Sequence, residues 1–532
     1  MSDILGRYLF YFALILLIPC GVSLASAWLS FSSRAQEIQS AFSFFATFLI
    51  SSGLGIALMR LGEKGRSVLH RKESVLLVVV IWVITVCLSA LPFLFSGTLQ
   101  RPIDALFESM SGLTTTGSTI LYPKAYDLST GQEIPVRATV DNLAASYRFY
   151  GTVAPILDET NEVVLREGVE ALSRGLLFWR SFLQWLGGMG IIVLFIAVLP
   201  ALSMGGRFLF EAEASGFRKE ALTPRIKQTA SLLWKIYFGL TAAQIVLLMA
   251  AHPSMPFFDA VTLSFSTLST GGFSIKNDGI SAYGSSGVEW ICLFFMIFGS
   301  VNFSLYFYVV RGQVFRLYEP EFFTFLGSLA ASALLMTALL WQGTLTLGEA
   351  FRLGSFQAIS AQTSTGFAMA TPIPWLSSCQ LLLLILTFIG GMAGSTSGGI
   401  KIARHLIAYH VIVDKIESLF RPSRVRFLKI GEQQISDKTA LTTLTFFCVL
   451  LFFIVIGTFL LVIDGIDSLT AFQTIVSMTN NAGLSLGGSD LKDSYAFLSS
   501  FSKSVCIIWM MLGRLEFFAL LVLLLPSFWR SK

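Results

Sequence analysis

The sequence predicts an all-α integral membrane protein, and three observations carry that fold class. Of the 532 residues 54% are hydrophobic and only 13% are charged, against about 25% charged in soluble domains. The mean hydropathy is +0.72. Uncharged apolar runs of bilayer-spanning length, about 20 residues each, recur along the whole chain.

Taken in order, the runs predict ten spans, at roughly 8–30, 40–59, 74–96, 176–200, 231–251, 289–310, 322–342, 378–400, 439–463 and 500–526. The first is too long for the apolar core of a signal peptide and is read as a helix. Four shorter semi-apolar segments fall between them, near 104–113, 259–268, 353–362 and 468–477. These are too short to cross and read as re-entrant or interfacial. The six cysteines, Cys20, Cys87, Cys292, Cys379, Cys448 and Cys506, are scattered without CxxC spacing, so neither a disulfide framework nor a metal framework is expected.

Basic residues orient the chain. Arg60, Lys64, Arg66, Arg71 and Lys72 follow span two, and Arg207, Arg218, Lys219, Arg225 and Lys227 follow span four. Arg311 and Arg316 follow span six, and Lys401, Arg404, Lys415, Arg421, Arg424, Arg426 and Lys429 follow span eight. Alternate connections are therefore cytoplasmic, which puts both termini inside and all four short segments on the outer side. The outer connection 118–174 is much longer than its counterparts and carries eight acidic against five basic residues. Alternation in "EIPVRATV" and "NEVVLREGV" predicts a small hairpin there. This stretch reads either as a tolerated insertion or as an acidic cap that gathers cations.

The short segments repeat. They read "DALFESMSGLTTTGS", "DAVTLSFSTLSTGGF", "LGSFQAISAQTSTGF" and "LTAFQTIVSMTNNAG". Aligned on Gly117, Gly272, Gly366 and Gly483, they place Ser111, Ser266, Ser360 and Ser477 in one column, six residues earlier. Four such units in register, each starting and ending inside, predict parallel repeats around one axis. The boundaries are two N-terminal helices over 1–73, then repeats over 74–206 (with an insertion, 122–172), 207–311, 312–429 and 430–532. Non-helical backbone at membrane depth is tolerated only where it is buried in protein or lines a watery cavity. Four such loops can turn carbonyls toward an axis and replace the hydration shell of an alkali cation. Glycine reaches φ > 0 there without a Cβ penalty. Oxygen ligands suit a hard cation without redox chemistry.

At these residues the sequence resembles the Trk/Ktr/HKT superfamily of potassium transport proteins, in its TrkH-like bacterial branch. "QWLGGMGI" (184–191), "LTPRIKQTASLLWKIY" (222–237), "GGMAGSTSGGIKIAR" (390–404) and "MLGRLEFF" (511–518) resemble further motifs of that family. The resemblance implies a selectivity filter of Thr114, Thr115, Thr116 and Gly117; Ser269, Thr270, Gly271 and Gly272; Thr363, Ser364, Thr365 and Gly366; and Asn480, Asn481, Ala482 and Gly483. K+ would be held at Thr115, Thr116, Thr270, Gly271, Ser364, Thr365, Asn481 and Ala482. In the family a serine at the first filter glycine goes with sodium preference, so Gly117 favours potassium. The resemblance further implies a homodimer in the bacterial inner membrane and a cytosolic nucleotide-binding regulatory subunit of the TrkA/KtrA type. No prosthetic group and no nucleic-acid partner are expected.

Two intramembrane features have alternative readings. Arg514 lies mid-run in the last span, where an arginine costs about 2.5–3.5 kcal/mol to insert. It is either half of a structural ion pair or an electrostatic barrier in the pore, the role the resemblance implies. Glu516 is a poor partner for it, because i,i+2 residues do not share a helix face. Span eight contains Gly390, Gly391, Gly394, Ser395, Thr396, Ser397, Gly398 and Gly399. Those glycines either pack a helix closely or break it into a gate loop, with Lys401 snorkelling to the interface or steadying the loop. The basic stretches 218–235 and 401–429 could contact anionic lipid or dock the regulatory subunit. HExxH and P-loop motifs are absent from the sequence, so an enzyme is not expected. A coupled symporter would need an embedded carboxylate, for which Glu108 is the candidate; its other reading is a structural hydrogen bond. A sodium-permeable homologue is the remaining alternative.

Overall fold

The computed structural model describes residues 1–29, 34–62, 71–127, 132–139, 146–157, 164–190, 226–341, 345–369, 377–421, 429–430, 433–484 and 494–530. It opens with α1 (Ser2–Leu29), α2 (Arg34–Gly62) and α3 (Arg71–Phe95). α1 and α2 pack closely through facing glycines: a Cβ on Gly6 would lie 2.6 Å from the Gly55 carbonyl oxygen, the small-residue contact by which membrane helices approach.

The rest of the chain alternates long, short and returning helices. After α3 come α4 (Pro102–Leu113) and α5 (Arg174–Gly188). Then follow α6 (Ile226–Ala251), α7 (Phe257–Leu268), α8 (Ser286–Ser300) and α9 (Phe303–Val310), then α10 (Pro320–Leu340), α11 (Leu347–Gln362), α12 (Ser377–Ile389) and α13 (Ile402–Phe420). The series ends with α14 (Asp437–Ile463), α15 (Ser468–Thr479), α16 (Ser500–Arg514) and α17 (Phe518–Leu524). Local chemistry starts several of them. Thr346 and Glu349 form a capping box that begins α11 six residues before the apolar segment predicted there. Ser173, Ser436, Asp467 and Ser499 accept first-turn N–H groups of α5, α14, α15 and α16.

Among the described residues six helices are long and apolar enough to cross a membrane, or eight if each bent pair counts as one span. The continuous spans expected at 289–310 and 500–526 are corrected: α8 and α9 meet at 95°, and α16 and α17 at 115°. Asn302 makes the first break by capping α9 through its side chain. The second break needs Glu516 and Phe517 at φ of 53° and 60°. The helix expected over 176–200 ends at Gly188, and residues 191–200 lie outside the described ones. So do the basic residues Lys64, Arg66, Arg207, Arg218, Lys219, Arg225, Arg424 and Arg426. Among the described residues the outer insertion holds three short antiparallel strand pairs, Ala125–Tyr126 with Glu133–Ile134, Val136–Thr139 with Ser146–Phe149, and Ile156–Leu157 with Val164–Arg166. The alternation in sequence pointed to one. All six cysteines are free thiols.

Candidate functional site

The four short helices α4, α7, α11 and α15 end in the same way. Each runs into a non-glycine residue at positive φ: Thr115 at 56°, Thr270 at 51°, Ser364 at 56° and Asn481 at 50°. The next N–H turns back to the serine column. Thr116 donates to the Ser111 carbonyl at 2.9 Å, Gly271 to Ser266 at 2.9 Å, Thr365 to Ser360 at 2.9 Å and Ala482 to Ser477 at 3.0 Å. The positive-φ residues themselves donate to Gly112, Thr267, Ala361 and Met478. This paired 6→1 and 5→2 pattern is a Schellman ending, usually built with glycine. A β-branched or polar residue at that φ costs about 1–3 kcal/mol and persists only where its surroundings over-determine it. The shared serine column thus records a shared backbone: serine's carbonyl, not its hydroxyl, closes the turn.

Two residues further on, Gly117, Gly272, Gly366 and Gly483 have φ of 80°, 79°, 78° and 63°. Each faces the neighbouring loop. A Cβ on Gly117 would fall on the Gly271 carbonyl oxygen, one on Gly272 on that of Thr365, one on Gly366 on that of Ala482, and one on Gly483 on that of Thr116. The contacts run from loop one to two, two to three, three to four and four back to one. They close a ring in which each glycine lies against the next loop's carbonyl oxygen. The C-terminal ends of four short helices meet there, and each presents the negative end of a helix dipole.

The 390–399 segment is not helical: α12 stops at Ile389 and α13 starts at Ile402. The stretch between lies across the C-terminal ends of the short helices. Thr396 Oγ1 donates to the Leu268 carbonyl at 3.1 Å and the Gly299 carbonyl at 2.8 Å. Ser397 Oγ donates to the Thr363 carbonyl at 2.7 Å, Gly398 N–H to Ser364 Oγ at 2.5 Å, and Gly399 N–H to the Asn480 carbonyl at 2.8 Å. Ser395 Oγ donates to the Met392 carbonyl within the segment at 2.6 Å. Gly390, Gly394 and Gly399 take positive φ, while Gly391 packs against Ser300 and Ser397.

Arg514 ties the segment to the remaining loop. Its Nη1 donates to Thr115 Oγ1 and to the Thr396 carbonyl, both at 3.2 Å, and its Nη2 donates to the carbonyls of Gly187 and Gly188. Lys401 is buried and donates Nζ to the Ser397 carbonyl, so it steadies the segment and does not snorkel away from it. Glu516 pairs with Arg404. Glu321, at the start of α10, accepts the Ala393 N–H at 2.7 Å.

Glu108 has the structural role. Its carboxylate accepts Arg180 Nε at 2.7 Å, the Ile120 N–H at 3.1 Å and the Thr119 hydroxyl at 3.1 Å. Arg180, fully buried, also donates Nη1 to the Ser274 carbonyl at 2.9 Å and stacks its guanidinium 4.1 Å from the Phe273 ring centre. One turn on, Gln184 bonds to Gly271 and Phe273. The sequence reading missed Arg180 and Gln184. The signal was available, since an arginine and an amide four apart inside an apolar run share one helix face and mark a polar partner.

The profile of the family described as TrkH, cation transport protein, matches residues 159–346 and 340–531. The chain is 33% identical to the Trk system potassium uptake protein TrkH of Salmonella typhimurium, over 92% of each chain. It is 31% identical to the Trk system potassium uptake protein TrkG of Escherichia coli over 93% of each. The crystal structure of the potassium transporter TrkH from Vibrio parahaemolyticus superposes with a TM-score of 0.78 at 30% identity, covering 99% of both chains.

Proposed function

The chain belongs to the TrkH family of cation transport proteins, a family of transporters and not of enzymes, and from that premise we propose that it takes potassium up across the bacterial cytoplasmic membrane through the ring of four loops. The observation that carries this reading is the closed set of glycine-to-carbonyl contacts. It holds backbone oxygens around one opening, as selection of a weakly hydrated alkali cation requires. K+ is the cargo, passing carbonyls of Thr115, Thr116, Thr270, Gly271, Ser364, Thr365, Asn481 and Ala482. The 390–399 segment is the gate, and Arg514 is its latch and the charge that opposes cations below the ring.

In the same reading the chain makes ten membrane crossings, the bent returning helices counted once each. Four parallel repeats (74–206, 207–311, 312–429 and 430–532) follow two N-terminal helices, and both termini lie in the cytoplasm. A cytosolic nucleotide-binding subunit of the TrkA/KtrA type releases the gate, and two copies of the chain pair in the lipid. The symporter reading is weaker because Glu108, its candidate carboxylate, is engaged by Arg180.

The test is rubidium and sodium uptake side by side in liposomes, for wild type and Gly117→Ser. Preferred rubidium uptake, narrowed by the substitution, supports the reading. Equal uptake of both ions by the wild type refutes the potassium assignment.

A further inference from the structure

The second loop differs from the others at one position. The residue before the ring glycine is Thr116, Thr365 and Ala482 in loops one, three and four, but Gly271 in loop two. Gly271 does not take a positive φ, so its backbone does not demand glycine. Space does: a Cβ on Gly271 would fall into the side-chain amide of Gln184. That amide is fully buried. It donates Nε2 to the Gly271 carbonyl at 2.6 Å and accepts the Phe273 N–H on Oε1 at 3.1 Å.

Loops one and three brace themselves. Thr114 and Thr116 share a hydroxyl hydrogen bond of 2.8 Å, as do Thr363 and Thr365. In loop four, Asn481 Nδ2 donates to Thr116 Oγ1 at 2.9 Å and to the Met510 carbonyl at 3.0 Å. Gly271 has no hydroxyl to offer, and the amide that replaces it comes from the returning helix of the first repeat. The counterparts of that helix lack the amide. Gly187, Gly299 and Gly513 each abut the carbonyl of the last residue of their own short helix, Leu113, Leu268 and Thr479. Three residues before these glycines stand Gln184, Met296 and Met510.

The carbonyl that Gln184 holds is also the one that lies against Gly117. A carbonyl oxygen has two lone pairs, and the amide occupies one of them. We propose that Gln184 is a positioning residue that sets the ring's preference between alkali cations by fixing the Gly271 carbonyl at the seam of loops one and two. The proposal rests on the ring being the ion path. Arg180, one turn earlier on the same helix face, extends the splint to Ser274.

The experiment compares rubidium and sodium uptake in liposomes for wild type, Gln184→Met, Gln184→Glu, Gln184→Ala and Gln184→Ala with Gly271→Thr. Gln184→Met lowers the rubidium-to-sodium ratio by about tenfold, the scale of one or two lost hydrogen bonds. Gln184→Glu keeps an acceptor for Phe273 N–H but loses the donor to Gly271, and lowers the ratio as far. Adding Gly271→Thr to Gln184→Ala returns a hydroxyl to the position and recovers most of the ratio, which a purely structural role would not produce. Gly271→Ala displaces the amide with Gln184 present and matches Gln184→Met, which covers the case in which a Gln184 variant does not fold. An unchanged ratio in Gln184→Met or Gly271→Ala overturns the inference, as does a double variant that melts like wild type without recovering selectivity. A wild type indifferent to the two ions is a separate result, which removes the potassium assignment and the inference together.

Discussion

Two stretches of irregular backbone lie buried at the centre of this bundle, and they are held by different means. The ring of four loops is held largely by its own main chain. Each loop returns consecutive N–H groups to its short helix, and each ring glycine abuts a backbone carbonyl of the next loop. The 390–401 segment depends heavily on side chains: Thr396, Ser397, Ser364, Lys401, Glu321 and Arg514. Main-chain bonds of the first kind cannot be exchanged without unravelling a helix end. Side-chain ties of the second kind are released by rotamer changes, which cost little once water or another partner takes over. In the proposed reading, a selective ring above a releasable segment is the division of labour that gated selection needs.

The sharpest challenge to this contrast is the buried Arg180–Glu108 ion pair behind the ring. If the ring is held by main chain alone, removing Arg180 is harmless. The geometry says otherwise, because Arg180→Met leaves Glu108 buried without its cation. The expected loss is about 3–5 kcal/mol of stability, measured by denaturant unfolding in detergent. Glu108→Leu added to Arg180→Met returns most of it, because no lone charge then remains.

Next in size is a matched pair of glycine substitutions. Gly272→Ala drives a methyl onto the Thr365 carbonyl at a φ of 79°. Rubidium uptake falls about a hundredfold, since the conformation alone costs an L residue about 1–3 kcal/mol before any clash. Gly394→Ala, at a φ of 77°, meets the Asn302 side chain at 3.0 Å, which can move aside, and its loss is about tenfold. Equal losses at the two positions would erase the distinction between a stiff ring and a yielding segment.

In the proposed reading Arg514→Gln acts mainly on the gate side. It removes the ties to Thr115, Gly187 and Gly188 and the charge at the meeting point of the helix ends. Rubidium flux without a regulatory partner rises about tenfold, while the rubidium-to-sodium ratio stays at the wild-type value. A changed ratio means that the two regions are not separable.

How much of this was legible beforehand follows the same contrast. The ring was legible because its constraint is local: a helix end, a residue at positive φ and a glycine recur at fixed spacing in "SGLTTTG", "STLSTGG", "SAQTSTG" and "SMTNNAG". The breaks in the returning helices were less so. Glycines marked 390–399, but the 115° bend after Arg514 falls in "LEF", which carries neither glycine nor proline. Its positive φ angles at Glu516 and Phe517 are imposed by tertiary contacts such as the Arg404–Glu516 pair and the packing of Phe517 on Phe446 and Phe453. Gln184 and Arg180 were marked by their four-residue spacing, but their partners were not: those lie on the loop after α7 and on α4, and no spacing within one helix reveals them.

The smallest effect belongs to Glu321, and it asks whether the segment is also held from the start of α10. Its carboxylate accepts the Ala393 N–H at 2.7 Å, within the segment as it lies across the short-helix ends. Glu321→Gln keeps a carbonyl oxygen for that N–H but removes the charge. A charge-assisted hydrogen bond is about twice as strong as a neutral one, so the tie weakens without vanishing. The expected result is a rise of about threefold in partner-free rubidium flux, smaller than for Arg514→Gln. Glu321→Leu, which offers no acceptor, goes further in the same direction. A fall in flux for both variants would mean that this carboxylate serves the open arrangement, and the segment would then be latched from the Arg514 side alone.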